Sequence, residues 1–307
     1  MALRDVLRPG HVQIRVLDMA AALVHYRDVI GLVEVERGAD GRVYLKGWDE
    51  FDHHSVVLRE AATTGMDLLA FKVADDASLD RLERAVAGFG IAVAHLPAGS
   101  HRATGRRIAF TAPTGHRIEL YAEKERVGNG LPEVNPDVWP DGLAGMHPSH
   151  FDHCLLYGND VEGSTRLFIE ALGFGLTERV LAPDGSLIGA FLSCANKTHD
   201  VAFVKHAEDG KFHHAAFYLP SGEEVFRAAD IIRKNKVRID VGPTRHGITR
   251  GHTIYFFDPS GNRNEVFAGG YLYYPDRPVI TWTADQLGKA IFYYEDALNE
   301  RFLTVVT

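Results

Sequence analysis

The chain has 307 residues, a formal net charge of −8 and two cysteines, Cys154 and Cys194. The acidic balance argues against nucleic acid and anionic membrane surfaces as partners, and two cysteines are too few for a disulfide framework. No basic start leads into an apolar core and no apolar run approaches the ~18 residues that cross a bilayer, so a cytoplasmic protein with no membrane contact is expected.

Length alone suggests two domains of roughly 100–200 residues each, and the order of elements agrees. Val12 to Leu32 reads as a strand, a helix and a stop, with Asp18 as helix cap and Gly31 as terminator. Strands follow at Arg42 to Lys46 and Ser55 to Leu58. Leu79, Leu82, Val86 and Phe89 then recur at helical spacing. The half closes on the turn Ala112-Pro-Thr-Gly115 and Glu119. Ala122 to Pro148 is rich in proline and glycine and reads as a linker.

The second half restates the first. From His11 to Gly31 is 20 residues, and from His153 to Gly173 is also 20. A helix is expected over Ser164 to Leu172, and a later one carries Val225, Ala228 and Ile232. The half closes on Asp258-Pro-Ser-Gly261 and Glu265, again with Glu four residues after the turn glycine. This internal repeat is the strongest organisational signal in the chain. Four βαβββ units in two domains is the simplest account, an α+β fold. The expected division is 1–125, a linker at 126–148, 149–275, and a C-terminal extension at 276–307. In that extension Thr283 to Leu298 reads as one helix with Leu287, Ala290, Ile291 and Tyr294 on its apolar side.

Histidine is abundant, at 16 residues. Most are expected to be surface or satisfied core groups, but three positions stand apart. Glu265 lies on the strand that returns after Thr253-Ile-Tyr-Phe-Phe257 and its turn. A carboxylate within such an apolar strand is costly to bury unless it is paired or holds a metal. His153 and His214 sit in equally apolar strands. Two imidazoles and one carboxylate make a facial triad, the ligand set of non-haem Fe(II) enzymes. At the repeat offset of 146, His214 falls on Leu68, Tyr255 on Ala109 and His246 on Ser100. The first half therefore lacks the middle ligand and its polar surroundings. It is expected to be a vestigial site, with His11 and Glu119 as a buried polar pair. Alternation along the strand puts His213 on the side away from the site that His214 enters.

His246, seven intervening residues, Ile254-Tyr255, Asp258-Pro-Ser-Gly261 and Glu265 together resemble the signature of the type I extradiol ring-cleaving dioxygenases of the vicinal-oxygen-chelate superfamily. The resemblance covers nearly the whole chain. It implies the fold of the glyoxalase, bleomycin-resistance and dihydroxybiphenyl-dioxygenase proteins, with paired modules curling their sheets around a cavity. It also implies Fe(II), a small aromatic diol and O2 as substrates, ring opening beside the diol to a 2-hydroxymuconate semialdehyde, and a homotetramer. His199 matches the family's acid/base histidine, and His246 and Tyr255 match residues that hydrogen-bond the bound substrate oxygen. Phe191, Ile248, Ile291 and Phe302 are candidate walls for the aromatic ring. Two other readings stay open at this point. One is a glyoxalase-like metal enzyme on the same fold, and the other is a metal-free binding protein. Fe(II) and Mn(II) both accept the ligand set.

Overall fold

The structure is a computed structural model that describes residues 5–307. Two mixed sheets of eight and nine strands carry the repeat. At the centre of the first, Val6–Val16 runs parallel to Val56–Glu60 and antiparallel to Gly65–Val73, which then pairs in parallel with Arg117–Tyr121. The second sheet follows the same plan. His150–Gly158 lies parallel to Val201–Lys205 and antiparallel to Lys211–Tyr218, which pairs in parallel with Arg263–Gly269. Register matches as well as topology. His11 faces Ala70, which faces Glu119, and His153 faces Ala216, which faces Glu265.

Each opening helix forms for the reasons the repeat suggested. Asp18 accepts from the Ala21 amide at 3.0 Å, and Asp160 accepts from the Gly163 amide at 2.8 Å. Both helices relax into a π-helical turn, Val24–Val29 and Leu167–Ala171, before a glycine with positive φ. At Gly31 a side chain is also sterically barred, since a Cβ would lie 2.0 Å from the Ala144 carbonyl oxygen. The longer helices, Asp76–Gly88 and Gly222–Lys234, bury Leu79, Leu82 and Val86, and Val225, Ala228 and Ile232. Fully burying such a side chain is worth about 1.5–3 kcal/mol, so the apolar stripe holds each helix to its sheet.

The two domains dock reciprocally. The turn Asp258 to Gly261 of the second meets the opening helix of the first: Tyr26 donates to Asp258 Oδ2 at 3.1 Å, and His25 and Asn264 are hydrogen-bonded at 2.8 Å. The equivalent turn of the first domain meets the opening helix of the second, where the Thr114 amide donates to Ser164 Oγ at 3.0 Å. Between Tyr121 and His150 the chain forms neither helix nor strand, as its prolines and glycines predict.

The C-terminal extension departs from its expected single helix. It starts as a ninth strand, Ile280–Thr283, parallel to Gly175–Leu181. One helical turn, Leu287–Ile291, follows, and a second short helix, Glu300–Thr304, comes later. The first helix stops because Phe292 leaves helical geometry (φ −126°, ψ 84°) to pack with Tyr255 and Phe302. Tyr294 is consequently 62% exposed, not on a buried face.

Candidate active site

The concave face of the second sheet gathers the residues singled out in sequence. His153, His214 and Glu265 come from three adjacent strands and are 2% exposed each. One ligand atom from each lies within 4.8 Å of the others. His153 Nε2 and His214 Nε2 are each 3.2 Å from Glu265 Oε2.

The partners behind these groups set their protonation. His153 Nδ1 donates to Asp152 Oδ2 at 2.7 Å, which leaves Nε2 with its lone pair forward. His213 Nε2 donates to the Phe302 carbonyl at 2.8 Å, so its Nδ1 accepts from His214 Nδ1 at 2.6 Å, and His214 Nε2 also faces forward unprotonated. Burial pushes the His214 pKa down to about 4, consistent with a neutral ring. The other oxygen of Glu265 accepts from Thr253 Oγ1. His214 Nε2 and Glu265 Oε2 have no hydrogen-bond partner although fully buried. Burial opposes protonation of His153, but Asp152 and Glu265 on either side raise its pKa; a divalent cation would take the place of such a proton between two imidazoles and a carboxylate, so this donor set fits a metal ion.

Asp152 is itself anchored. Lys197 Nζ is 2.8 Å from Asp152 Oδ1 and 3.1 Å from Asp200 Oδ1. Burial opposes ionisation of Asp152, but the Lys197 charge and the hydrogen bonds from His150 and His153 hold its carboxyl well below the usual range.

Around this centre one narrow cavity is lined by all ten sequence candidates: His153, His214, Glu265, His199, His246, Tyr255, Phe191, Ile248, Ile291 and Phe302. Leu155, Thr249 and Phe267 complete the lining. The His199 ring stands 3.9 Å from that of His153, centroid to centroid. Burial and then the neighbouring His153 push the His199 pKa well below its ordinary value, so the ring is neutral. Its Nδ1 lies 3.3 Å from Thr198 Oγ1, which leaves Nε2 for the cavity. His246 Nδ1 donates to the Ile291 carbonyl, so its Nε2 accepts from the Tyr255 hydroxyl at 2.7 Å. Burial and the Glu265 charge raise the Tyr255 pKa well above 10, which keeps this phenol a donor.

The loop after His246 is tied down by a buried carboxylate. Glu178 accepts from the Thr249 amide at 2.7 Å, the Tyr271 hydroxyl at 2.9 Å and Trp282 Nε1 at 2.7 Å. It links the loop, where Thr249 and Arg250 have positive φ, to the C-terminal extension. That extension supplies Ile291, Phe302 and two backbone acceptors, so the site is incomplete without it.

Sequence reasoning missed three supports. Thr253 shares the face of Tyr255 by strand alternation, a readable signal. Asp152 adjoins a proposed ligand, a weaker one. His213 was misplaced: a bulge between Phe212 and His214 breaks the alternation, and His213 hydrogen-bonds the back of His214, stacked on Tyr157.

The first domain corrects another expectation. Glu119 does not pair with His11. Its two oxygens accept from Arg107 Nε at 2.7 Å and from Arg117. His11 instead faces Lys124 Nζ at 3.0 Å. Nor are its surroundings empty of histidine. Val12 faces Val56 as Cys154 faces Val201, so His54 occupies the place of His199. The repeat offset of 146 would put His199 on His53 instead, but at these strands the offset is 201 − 56 = 145.

Comparisons with known proteins agree with this architecture. Residues 66–125 match the catechol 2,3-dioxygenase-like N-terminal domain, and residues 150–266 match the glyoxalase/bleomycin resistance protein/dioxygenase superfamily. A metapyrocatechase from Pseudomonas sp. strain CF600 is 54% identical over 305 residues, 99% of each chain. A manganese-dependent 2,3-dihydroxybiphenyl 1,2-dioxygenase from Geobacillus genomosp. 3 is 26% identical over 94% of each. The crystal structure of the 2,3-dioxygenase LapB from Pseudomonas sp. KL28 superposes with a TM-score of 0.90 at 51% identity, covering 92% of this chain and 99% of that one. With its paired modules, its His/His/Glu centre and this similarity along its whole length, the chain belongs to the catechol 2,3-dioxygenase-like extradiol dioxygenases of the glyoxalase/bleomycin resistance/dioxygenase superfamily.

Proposed function

We propose that His153, His214 and Glu265 hold Fe(II), and that His199, His246 and Tyr255 are the acid/base and substrate-orienting groups of the reaction. The chain is an extradiol dioxygenase that opens catechol beside its diol, giving 2-hydroxymuconate semialdehyde with both atoms of O2 retained. When bound, the iron supplies a redox centre on which catechol and O2 meet.

The chain's own groups do the rest. Neutral His199, with Nε2 toward the cavity, takes the proton that a catechol hydroxyl loses on binding, and returns it to an oxygen later in the cycle. Tyr255 is held protonated, so it donates to a substrate oxygen, and His246 orients that hydroxyl through its fixed tautomer. Phe191, Ile248, Ile291 and Phe302 exclude water and sandwich the ring. The observation that carries this reading is the pair of orphaned buried atoms, His214 Nε2 and Glu265 Oε2, aimed at one point.

In this reading residues 1–125 are a scaffold without a catalytic metal, 149–275 hold the centre, and 276–307 close it. The working unit is a cytoplasmic homotetramer. The linker, where Val134, Val138 and Trp139 are 76%, 76% and 64% exposed, offers apolar surface for assembly. Among the described residues no helix is long and apolar enough to cross a membrane. Adding catechol aerobically to the ferrous protein should give a yellow product at one iron per chain. Turnover by the manganese form and none by the ferrous form would replace iron in the assignment.

A further inference from the structure

The histidines of the first domain form a second constellation. His11 comes from the central strand, His54 from the residues just before Val56–Glu60, and His101 from the loop after Ala94–Leu96. They are 0%, 1% and 7% exposed, and one ligand atom from each lies within 4.8 Å of the others. His54 Nε2 and His101 Nε2 are 3.1 Å apart.

Three observations mark this cluster as more than packing. The first is its proton order. His53 Nε2 donates to Glu36 Oε2 at 3.0 Å, so His53 Nδ1 accepts from His54 Nδ1 at 3.0 Å, and His54 Nε2 faces the cluster unprotonated. This is the arrangement that His213 imposes on His214 in the second domain: an adjacent histidine, bonded through Nδ1, fixes which nitrogen is free. Metal-binding imidazoles are oriented this way. The second is an orphan. His11 Nε2 is fully buried with no hydrogen-bond partner. The third is a buried amine set against two of these rings. Lys124 Nζ sits 3.0 Å from His11 Nδ1 and 3.1 Å from His54 Nε2. No carboxylate oxygen lies within ion-pair distance of that nitrogen among the described residues. Its remaining hydrogen bond is to the His54 carbonyl at 3.1 Å, burial pushes its pKa well below the ordinary lysine value, and a lysine has a long flexible stem on which to withdraw.

We propose that the first domain binds a divalent ion of the zinc class through His11, His54 and His101, in competition with Lys124 for His54 Nε2. Three imidazoles without a carboxylate favour Zn(II), Ni(II) or Cu(II) over the harder Mg(II), Ca(II) and Mn(II). The second domain, with its glutamate, is built for a different ion. The site is a binding site only, since Ala109 and Ser100 stand where the second domain has Tyr255 and His246, and its occupancy ties the loop of His101 to the central strand.

The test is metal counting on the full-length protein, loaded with Fe(II) under anaerobic conditions, exposed to Zn(II) alone and desalted. One zinc per chain is expected in addition to the retained iron. The double substitution His54→Ala plus His101→Ala should lose the zinc and keep the iron, iron retention showing that the chain has folded. Lys124→Met should tighten zinc binding at least tenfold by removing the amine that competes for His54 Nε2. In His214→Leu, zinc uptake should persist at one per chain, so a failure of the iron assignment in the second domain is distinguishable from a failure here. The proposal is overturned if zinc enters only by displacing iron, if uptake survives the double substitution, or if Lys124→Met leaves the affinity unchanged.

Discussion

Glu119 and Glu265 stand at equivalent register positions in two sheets of one plan, yet the first answers to two arginines and the second to two histidines. The neighbouring strand shows the same divergence. Where the second domain has His213 and His214, the first has Asp67 and Leu68. Asp67 has become a strut, bonded to Gln13, Arg15 and Arg59. One plan can thus carry different chemistry in its two copies, provided that each buried charge has a partner. The carboxylate alone does not make the site; the partners across the sheet do.

The comparison breaks most sharply at His214. Replacing it by leucine, the first domain's own residue, should abolish iron binding and turnover together. Iron at wild-type stoichiometry after desalting would show that the metal lies elsewhere. Glu265→Gln removes the only anionic ligand and should have nearly as large an effect on iron content, read the same way.

His199→Ala should act differently, keeping iron and still binding catechol while turnover falls by about 10²–10⁴-fold, the usual value of a positioned acid/base group. A loss of activity that merely tracks lost iron would remove His199 from that role. His54→Ala, at the equivalent place in the first domain, gives the contrast: iron content should be unchanged.

Glu119→Gln should leave iron per chain and iron-normalised turnover intact. It strands Arg107, 5% exposed in its side chain, and should cost about 3 kcal/mol of stability. Thermal unfolding checks this, and a loss of iron instead would mean that Glu119 does more than brace the sheet.

The smallest effect is pH-dependent. Burial opposes ionisation of Asp67, but hydrogen bonds from Arg59, Gln13 and Arg15 hold its pKa down to about 2. Its pKa is depressed on folding, so its stabilisation is present above the unfolded value near 4 and is lost as pH falls toward 2. The gap in unfolding free energy between wild type and Asp67→Asn, about 2.5 kcal/mol at neutral pH, should close over that window. A gap constant with pH would mean that packing, not charge, makes the difference.

Much of this was legible in the residues. Strand cores, caps and the matched glycines fixed the repeat, because each is a local steric or hydrogen-bonding demand. His153 was found from the matched spacing to its glycine, and His214 and Glu265 from one offset of 146 between the halves. What escaped notice depended on departures from regularity. A bulge turned His213 toward its neighbour. A change of offset by one residue concealed His54 behind Asp200. Phe292 abandoned its helix for an aromatic cluster that lies far away in sequence. No periodicity argument reaches such contacts, since they are decided by packing between segments.

Tyr26 and His25 belong to the first domain, yet they hold Asp258 and Asn264, the turn and the strand that carry Glu265. A saturation screen for activity should therefore show a remote hot spot on that opening helix, touching no substrate. Its carriers would be read as active-site lesions, though their defect lies in aiming a carboxylate from across the molecule. The second domain expressed alone should inherit the same fault, with every ligand present and one of them badly pointed.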